Sequence, residues 1–327
     1  MPGLIVKPYG LDFDGDTVVL HVPATEKARK ESFGLLPSKN LISPATRDLN
    51  YIPDQEAILG LHLLSKDKAG LDKINHLLPK DVHFVKNNLK KNDILATLKV
   101  IAEKHPEKYN ELATKLKELG DNHATEKGFT VGIKDLENNH AFVQSTYKDA
   151  LKIYNSPKST DQQKINALLA ADSKVKASTF SNPDNNFTIM ASSGARGTSE
   201  QVKQILFAPG VMADHNGQII IKPVLGNYAT GMKFADYWTA VYGARKGALD
   251  KQLMTSKPGA LNKSIVNTNL STIIAKHDCK TKHGIEMHTD DPHLVGRTLA
   301  DGTTITKGNI ESIKKRGATV VVRSPAT

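Results

Sequence analysis

Cysteine is nearly absent from this chain: Cys279 is the one thiol in 327 residues. That excludes an internal disulfide framework and suits a reducing compartment. Aromatic residues make up only 6% of the chain while charged residues reach 24%, so the core per residue should be modest and partners are expected. No apolar run approaches the roughly 18 residues of a membrane span, and the N-terminus lacks the apolar stretch of a signal peptide. The expectation is a soluble, intracellular protein with no membrane partner. Positive charge is in excess, with a net charge of +10, which suits a polyanion such as nucleic acid.

The most informative segment is Leu11-Asp-Phe-Asp-Gly-Asp-Thr17, which places Asp12, Asp14 and Asp16 at alternate positions around one glycine. On an extended strand these carboxylates would share a face and repel one another without a cation. Gly15 allows a bend with positive φ that brings all three to one point. Hard oxygen ligands of this kind suit Mg²⁺, which keeps positions open for substrate phosphates, so the chemistry indicated is phosphoryl or nucleotidyl transfer. An EF-hand is excluded, because the sixth and twelfth positions counted from Asp12 are Thr17 and Pro23 rather than Gly and Glu. A phosphatase of the haloacid-dehalogenase type also opens with Asp-Phe-Asp-Gly, but at the end of a buried strand, and Lys7-Pro-Tyr-Gly10 is a poor end to one. Polymerase-type metal binding, a phosphatase and an acidic surface turn remain open on this segment alone.

Further along, Val18–Val22 reads as a strand, Pro23-Ala-Thr-Glu26 as a helix start, and Ser43–Gln55 as a turn followed by a strand, with Pro37 and Pro44 as punctuation. Apolar residues at helical spacing from Asn92 to Leu119, broken at His105-Pro106, predict a helix pair. Residues 135–178 predict two antiparallel helices about an Asn155-Ser-Pro-Lys-Ser159 tip, a hairpin too polar to be core and therefore projecting into solvent. A loop at Ser181–Asn186, the small-residue turn Ser192-Ser-Gly-Ala-Arg-Gly197, a helix and a strand at Gln218–Ile221 follow. A helical stretch from Gly231 to Asn267 should be interrupted at Pro258-Gly259, and the last sixty residues read as short antiparallel strands and turns.

These motifs, in this order, resemble the central part of the largest catalytic subunit (β′) of cellular multisubunit DNA-directed RNA polymerases. Asp12-Phe-Asp-Gly-Asp16 with His21-Val-Pro23 looks like that family's metal-binding loop and the strand after it. Asn40-Leu-Ile-Ser-Pro44 and Pro53-Asp-Gln55 with Leu59-Gly-Leu61 resemble the segment that follows, and Gly128–Leu136 the start of the rim-helix hairpin. Ser193-Gly-Ala-Arg-Gly197 with Gln201 and Gln204 looks like the approach to the F-loop, and Gly243-Ala-Arg-Lys-Gly247 with Thr255 the bridge helix.

The resemblance implies an α+β chain. A partial double-psi β-barrel carrying the metal loop would occupy residues 1–65, a helical pore region 66–134, the rim hairpin 135–180, the F-loop region 181–229, the bridge helix 230–270 and a β-rich segment 271–327. It implies that Asp12, Asp14 and Asp16 hold a catalytic Mg²⁺ activating the RNA 3′-hydroxyl, with a second Mg²⁺ arriving with the nucleotide. Thr255 and Ser256 would face the template base pair, with Arg245 and Lys246 along the nucleic acid. Solvated charge is the plainer reading of those two. Arg196 is open between a nucleic-acid contact and a structural role in its own loop. Cys279 would correspond to the first ligand of a Zn²⁺ site shared with another polypeptide, against the plainer reading of a free thiol. Partners would be the other polymerase subunits, template DNA, RNA product and nucleoside triphosphates.

Departures from the family are as specific. Gly10-Leu11 stands where β′ has Asn-Ala, so the asparagine linked to ribose 2′-hydroxyl recognition is missing. Tyr242 replaces a histidine. Pro258-Gly259-Ala260 replaces the Ser-Gly-Tyr hinge, and a proline inside a helix costs about 3 kcal/mol relative to alanine, so a broken bridge helix is expected. The short extent suggests a split β′ subunit of a large-genome bacteriophage, working in the host bacterial cytoplasm or packaged in the virion, its barrel completed by another protein. A non-catalytic scaffold and a Mg²⁺-dependent phosphohydrolase are the competing functions.

Overall fold

The computed structural model describes residues 3–43, 48–214, 216–273, 278–306 and 308–324. Pro44, used above, lies outside the described residues. The first helix, α1 (Glu26–Ser32), begins where the Thr25 hydroxyl accepts the Ala28 amide at 3.2 Å, the capping expected of Pro23-Ala-Thr-Glu26.

The first core is built by α2 (Glu56–Leu64), α3 (Lys68–His76), α4 (Lys91–Lys104) and α5 (Tyr109–Lys127). Helical spacing turns Ile94, Leu98 and Ile101 of α4 and Leu112 and Leu116 of α5 inward, and all five are buried. The break between α4 and α5 falls at His105–Lys108, where Pro106 denies the helix an amide. Gly128, at φ +58°, closes α5 with a left-handed cap.

Helices α2 and α5 cross at a pair of glycines. A Cβ on Gly60 would lie 1.8 Å from the Gly120 carbonyl oxygen, and one on Gly120 would lie 2.2 Å from the Ala57 oxygen. The obstacle in each case is backbone, which cannot swing aside as a side chain does. Gly60→Ala is therefore expected to cost about 3 kcal/mol, the upper part of the overpacking range. The check is the urea unfolding midpoint, and an unchanged midpoint would mean that the crossing relaxes freely.

Helices α6 (His140–Asn155) and α7 (Asp161–Ala177) form the expected hairpin about the Asn155–Ser159 tip, with Thr160 capping α7. The expectation that it is too polar to be core is corrected. Val143, Tyr147 and Ala150 of α6 and Leu168, Ala171 and Val175 of α7 are buried in a second core with Val202, Leu206 and Phe207. A narrow apolar stripe suffices because a third element covers it. That element follows α8 (Asn186–Ser192) and consists of α9 (Ser199–Val202) continuing into a π-helical turn, Lys203–Phe207.

The helical stretch expected after Gly231 is α10 (Phe234–Leu249), a π-helical turn at Asp250–Met254, and α11 (Ser256–Thr268). The break expected at Pro258-Gly259 is corrected, for α11 runs continuously through Lys257–Leu261. Pro258 is the third residue of α11, where a helix start leaves the amide unpaired in any case. The carbonyl its ring would strike, four residues back, is that of Met254, which ends the π-turn. The irregularity is thus taken up one turn earlier than the proline.

The C-terminal segment pairs β1 (Ile285–His288) antiparallel with β2 (Thr319–Val322), Ile285 opposite Val322, as the strand-and-turn reading expected. Between them lies α12 (Ile310–Lys314), and Leu294, Leu299, Ile305, Ile313 and Val322 form a third, small core.

Three expected strands are corrected. Val18–Val22 forms no ladder among the described residues and stands open, Val19 being 96% and Leu20 90% exposed. Among the described residues of Ser43–Gln55, Leu49 makes one antiparallel bridge, with Ile42, and in Gln218–Ile221 Ile219 makes another, with Ala213. Among the described residues of 1–65 no barrel is formed. A strand is completed only by an opposite strand that takes up its amides and carbonyls, and apolar pattern alone does not supply one.

Candidate metal centre and the groove behind it

The loop folds as its glycine permits. Gly15 sits at φ +120° and Gly10 at φ +64°, both outside the range that residues with a Cβ take readily. The Asp12 amide donates to Asp16 Oδ2 at 3.0 Å and the Asp14 amide to Asp12 Oδ1 at 3.2 Å. The result brings one carboxylate oxygen from each of Asp12, Asp14 and Asp16 within 4.8 Å of the others, all three residues exposed.

The crowding is visible in their acidity. Hydrogen bonding to Asp12, then the charges of Asp12 and Asp16, hold the Asp14 carboxyl above the usual range, while the bond with Asp14 holds Asp12 below it. Three hard oxygen donors of like charge, converging from one turn and open to solvent, fit a divalent cation such as Mg²⁺.

Behind the loop, Asp12 and Phe13 form one side of a groove of about 940 Å³. Its other walls are the segment from Gly3 to Leu11, the start of α2 and the C-terminal half of α5. In the α5 wall Lys117 is paired with Asp121. At the start of α2 stands Gln55, with φ +49° and ψ −116°, a backbone conformation rarely taken by a residue with a side chain.

The remaining sequence-derived candidates lie apart from this centre. No hydrogen bond or ion pair among the described residues joins the three aspartates to Thr255, Ser256, Arg245, Lys246, Arg196 or Cys279. The Thr255 hydroxyl donates to the Lys251 carbonyl and that of Ser256 to Leu253 at 2.9 Å, so both are engaged at the π-turn. Lys246 pairs with Asp250 at 3.1 Å, while Arg245 is exposed. Arg196 is exposed in a turn held by Gly194 and Gly197 at φ +81° and +82°, its amide donating to Met190 at 3.1 Å. Cys279 is exposed and free, and no set of three metal-ligating side chains including it occurs among the described residues.

Sequence reasoning missed a charged cluster inside the second core. Lys203, 1% exposed, reaches Asp172 at 2.7 Å and Glu200 at 2.7 Å, and the Tyr147 hydroxyl donates to the same Asp172 at 2.9 Å. Burial, then the nearby Asp172, push the Tyr147 hydroxyl pKa upward. The available signal was Asp172 itself, an acid in the middle of α7 in line with Leu168, Ala171 and Val175.

Residues 142–234, from the hairpin to the first residue of α10, match the family model described as RNA polymerase Rpb1, domain 4. Across a much longer alignment the chain is 28% identical to the DNA-directed RNA polymerase subunit β′ of a Hydrogenobaculum species over 381 residues, covering 91% of this chain and 24% of that subunit. With the β′ subunits of Aliarcobacter butzleri and Campylobacter fetus the identities are 27% and 26%, each covering 99% of this chain and 27% and 28% of the subunit. The chain is thus similar, over most of its length, to the central part of the β′ subunits. It spans about a quarter of the length of these curated relatives. The similarity to β′ covers the Asp12–Asp16 loop as well as the hairpin, for the alignments that reach 99% of the chain leave almost no part of it out.

Proposed function

We propose that this chain is the Mg²⁺-holding fragment of a DNA-directed multisubunit RNA polymerase, acting in template-directed nucleotidyl transfer to an RNA 3′ end. The observation that carries the reading is the convergence of Asp12, Asp14 and Asp16 to within 4.8 Å, in a chain that aligns with β′ over nearly all its length. These three residues would hold the ion. When bound, it would supply Lewis-acid activation of the 3′-hydroxyl and charge stabilisation at the α-phosphate.

The chain's own contribution is positional. Gly15 and the two amide–carboxylate bonds fix the loop so that its oxygens face one point, and no protein nucleophile is needed. The open segment Val18–Val22 supports a barrel completed by another polypeptide, since its unpaired backbone and exposed valines would be taken up by an added strand. Helices α10 and α11 support a bridge role in an assembly. With the π-helical turn between them they leave Tyr237, Trp238, Leu253, Met254, Leu261 and Ile265 exposed, more apolar surface than an isolated soluble helix keeps. Thr255 and Ser256 would present their methyl and methylene faces to a template base pair, with Arg245 along the nucleic acid. The net charge of +10 is of the sign that DNA and RNA require. Cys279 would join a Zn²⁺ site only with ligands from a partner chain.

The test is RNA synthesis by the complex purified with this chain in it. Template-dependent, Mg²⁺-dependent incorporation is expected, lost on chelation and restored by Mg²⁺. A complex that assembles on DNA and incorporates nothing would leave a scaffold role instead. Hydrolysis of phosphate monoesters by the chain alone would favour the phosphohydrolase.

A further inference from the structure

Gln55 adopts a backbone conformation that glycine would take freely. Its φ of +49° and ψ of −116° fall where the first central residue of a type II′ turn lies, a position dominated by glycine. The side chain gains nothing locally, for it caps no helix amide, makes no hydrogen bond among the described residues, and is exposed on the wall of the groove that Asp12 also lines. Strain of this kind persists only where the surroundings impose it.

The surroundings here are specific. Asp54 Oδ1 accepts the Gln55 amide at 3.0 Å and the Lys91 ammonium at 2.5 Å. Lys91 is itself fixed, since its backbone amide donates to the Ser193 carbonyl at 2.8 Å. Gly194 lies so close that a Cβ there would be 2.8 Å from Lys91 Cβ. Beyond Gln55, the Leu59 amide donates to the Gln55 carbonyl at 3.0 Å, tying the strained residue to the first turn of α2. A chain of contacts thus runs from the Ser193–Gly197 turn through Lys91 and Asp54 to a single unoccupied carboxamide beside the metal loop.

We propose that Asp54 and Lys91 are positioning residues that hold the Gln55 carboxamide in the groove as a hydrogen-bond donor to the anionic oxygens of an incoming nucleoside triphosphate. The inference rests on the polymerase reading for the identity of the ligand. The geometry of the clamp does not depend on it. A carboxamide donor beside a carboxylate-bound cation complements a polyphosphate, whose remaining oxygens need uncharged or cationic donors.

The experiment compares Gln55→Gly, Asp54→Ala and the double variant in the assembled complex, measuring thermal unfolding and the kinetics of single-nucleotide addition with ATP or GTP as probe. Gln55→Gly relieves the backbone, so an unfolding midpoint unchanged or raised is expected, together with a KM about tenfold higher and a smaller change in kcat, as for one lost charge-assisted hydrogen bond. Asp54→Ala should raise KM to the same extent, and the double variant should be no worse than either. A KM unchanged in Gln55→Gly overturns the proposal, as does an Asp54→Ala variant that lowers the midpoint while leaving KM alone, which would make the pair a staple between α2 and α4. Asp14→Ala serves as the control. Incorporation lost in Asp14→Ala but untouched in Gln55→Gly rejects only the role of Gln55, whereas incorporation unaffected by Asp14→Ala rejects the polymerase reading itself.

Discussion

Replacing Asp14 by alanine is expected to lower nucleotide incorporation by on the order of a thousandfold or more while the complex still assembles. Asp14 is the middle member of the triad and the one most crowded by its neighbours, its carboxyl held above the usual range by Asp12 and Asp16. Removing it relieves that repulsion, so the loop itself should not be destabilised. What is lost is one of three hard oxygens, and the electrostatic stabilisation supplied by a bound cation is worth several kcal/mol at the reacting phosphate. At about 1.4 kcal/mol for each factor of ten, a loss of that size exceeds a thousandfold. Single-nucleotide extension at saturating Mg²⁺, with assembly followed by gel filtration, is the measurement. Undiminished extension would remove the triad from catalysis.

Lys203→Met is expected to destabilise the chain by about 4 kcal/mol, because breaking a buried ion pair from one side leaves the other charge without its partner. Methionine nearly matches the length of the lysine stem, so little of the loss is cavity. It strands Asp172, only 18% exposed, which now receives both the ammonium and the Tyr147 hydroxyl. Gly210 tightens the constraint from outside, since a Cβ there would fall 1.9 Å from Asp172 Oδ1. Urea unfolding gives the magnitude. The double replacement Lys203→Met with Asp172→Leu should recover much of the stability, as apolar substitutes for buried pairs commonly do. If Lys203→Met alone were neutral, the cluster would not be what joins the hairpin to the π-helical turn.

Local rules read the helices well. The α4–α5 pair, the α6–α7 hairpin and its tip, the Thr25 cap and the C-terminal strands follow from periodicity, capping residues and turn residues close in sequence. The strand at Val18–Val22 failed for a reason of the opposite kind, since its partner is not supplied by any described residue. Pro258 marked the right region but the wrong residue. Its place in the first turn of α11 made it harmless there and moved the irregularity to Asp250–Met254.

The candidate site divides along the same line. Three aspartates alternating about Gly15 determined a convergent carboxylate cluster by themselves, because they lie within five residues and one glycine sets their convergence. The order of motifs likewise determined the β′ relationship. Only the tertiary structure decided that Lys91 pairs with Asp54 where Asp54 and Gln55 line the groove that Asp12 also lines, and that Lys203 is buried against Asp172. These pairs are separated by more than thirty residues in the chain. Electrostatic contacts over such separations are made by the packing of whole helices, which no local pattern encodes.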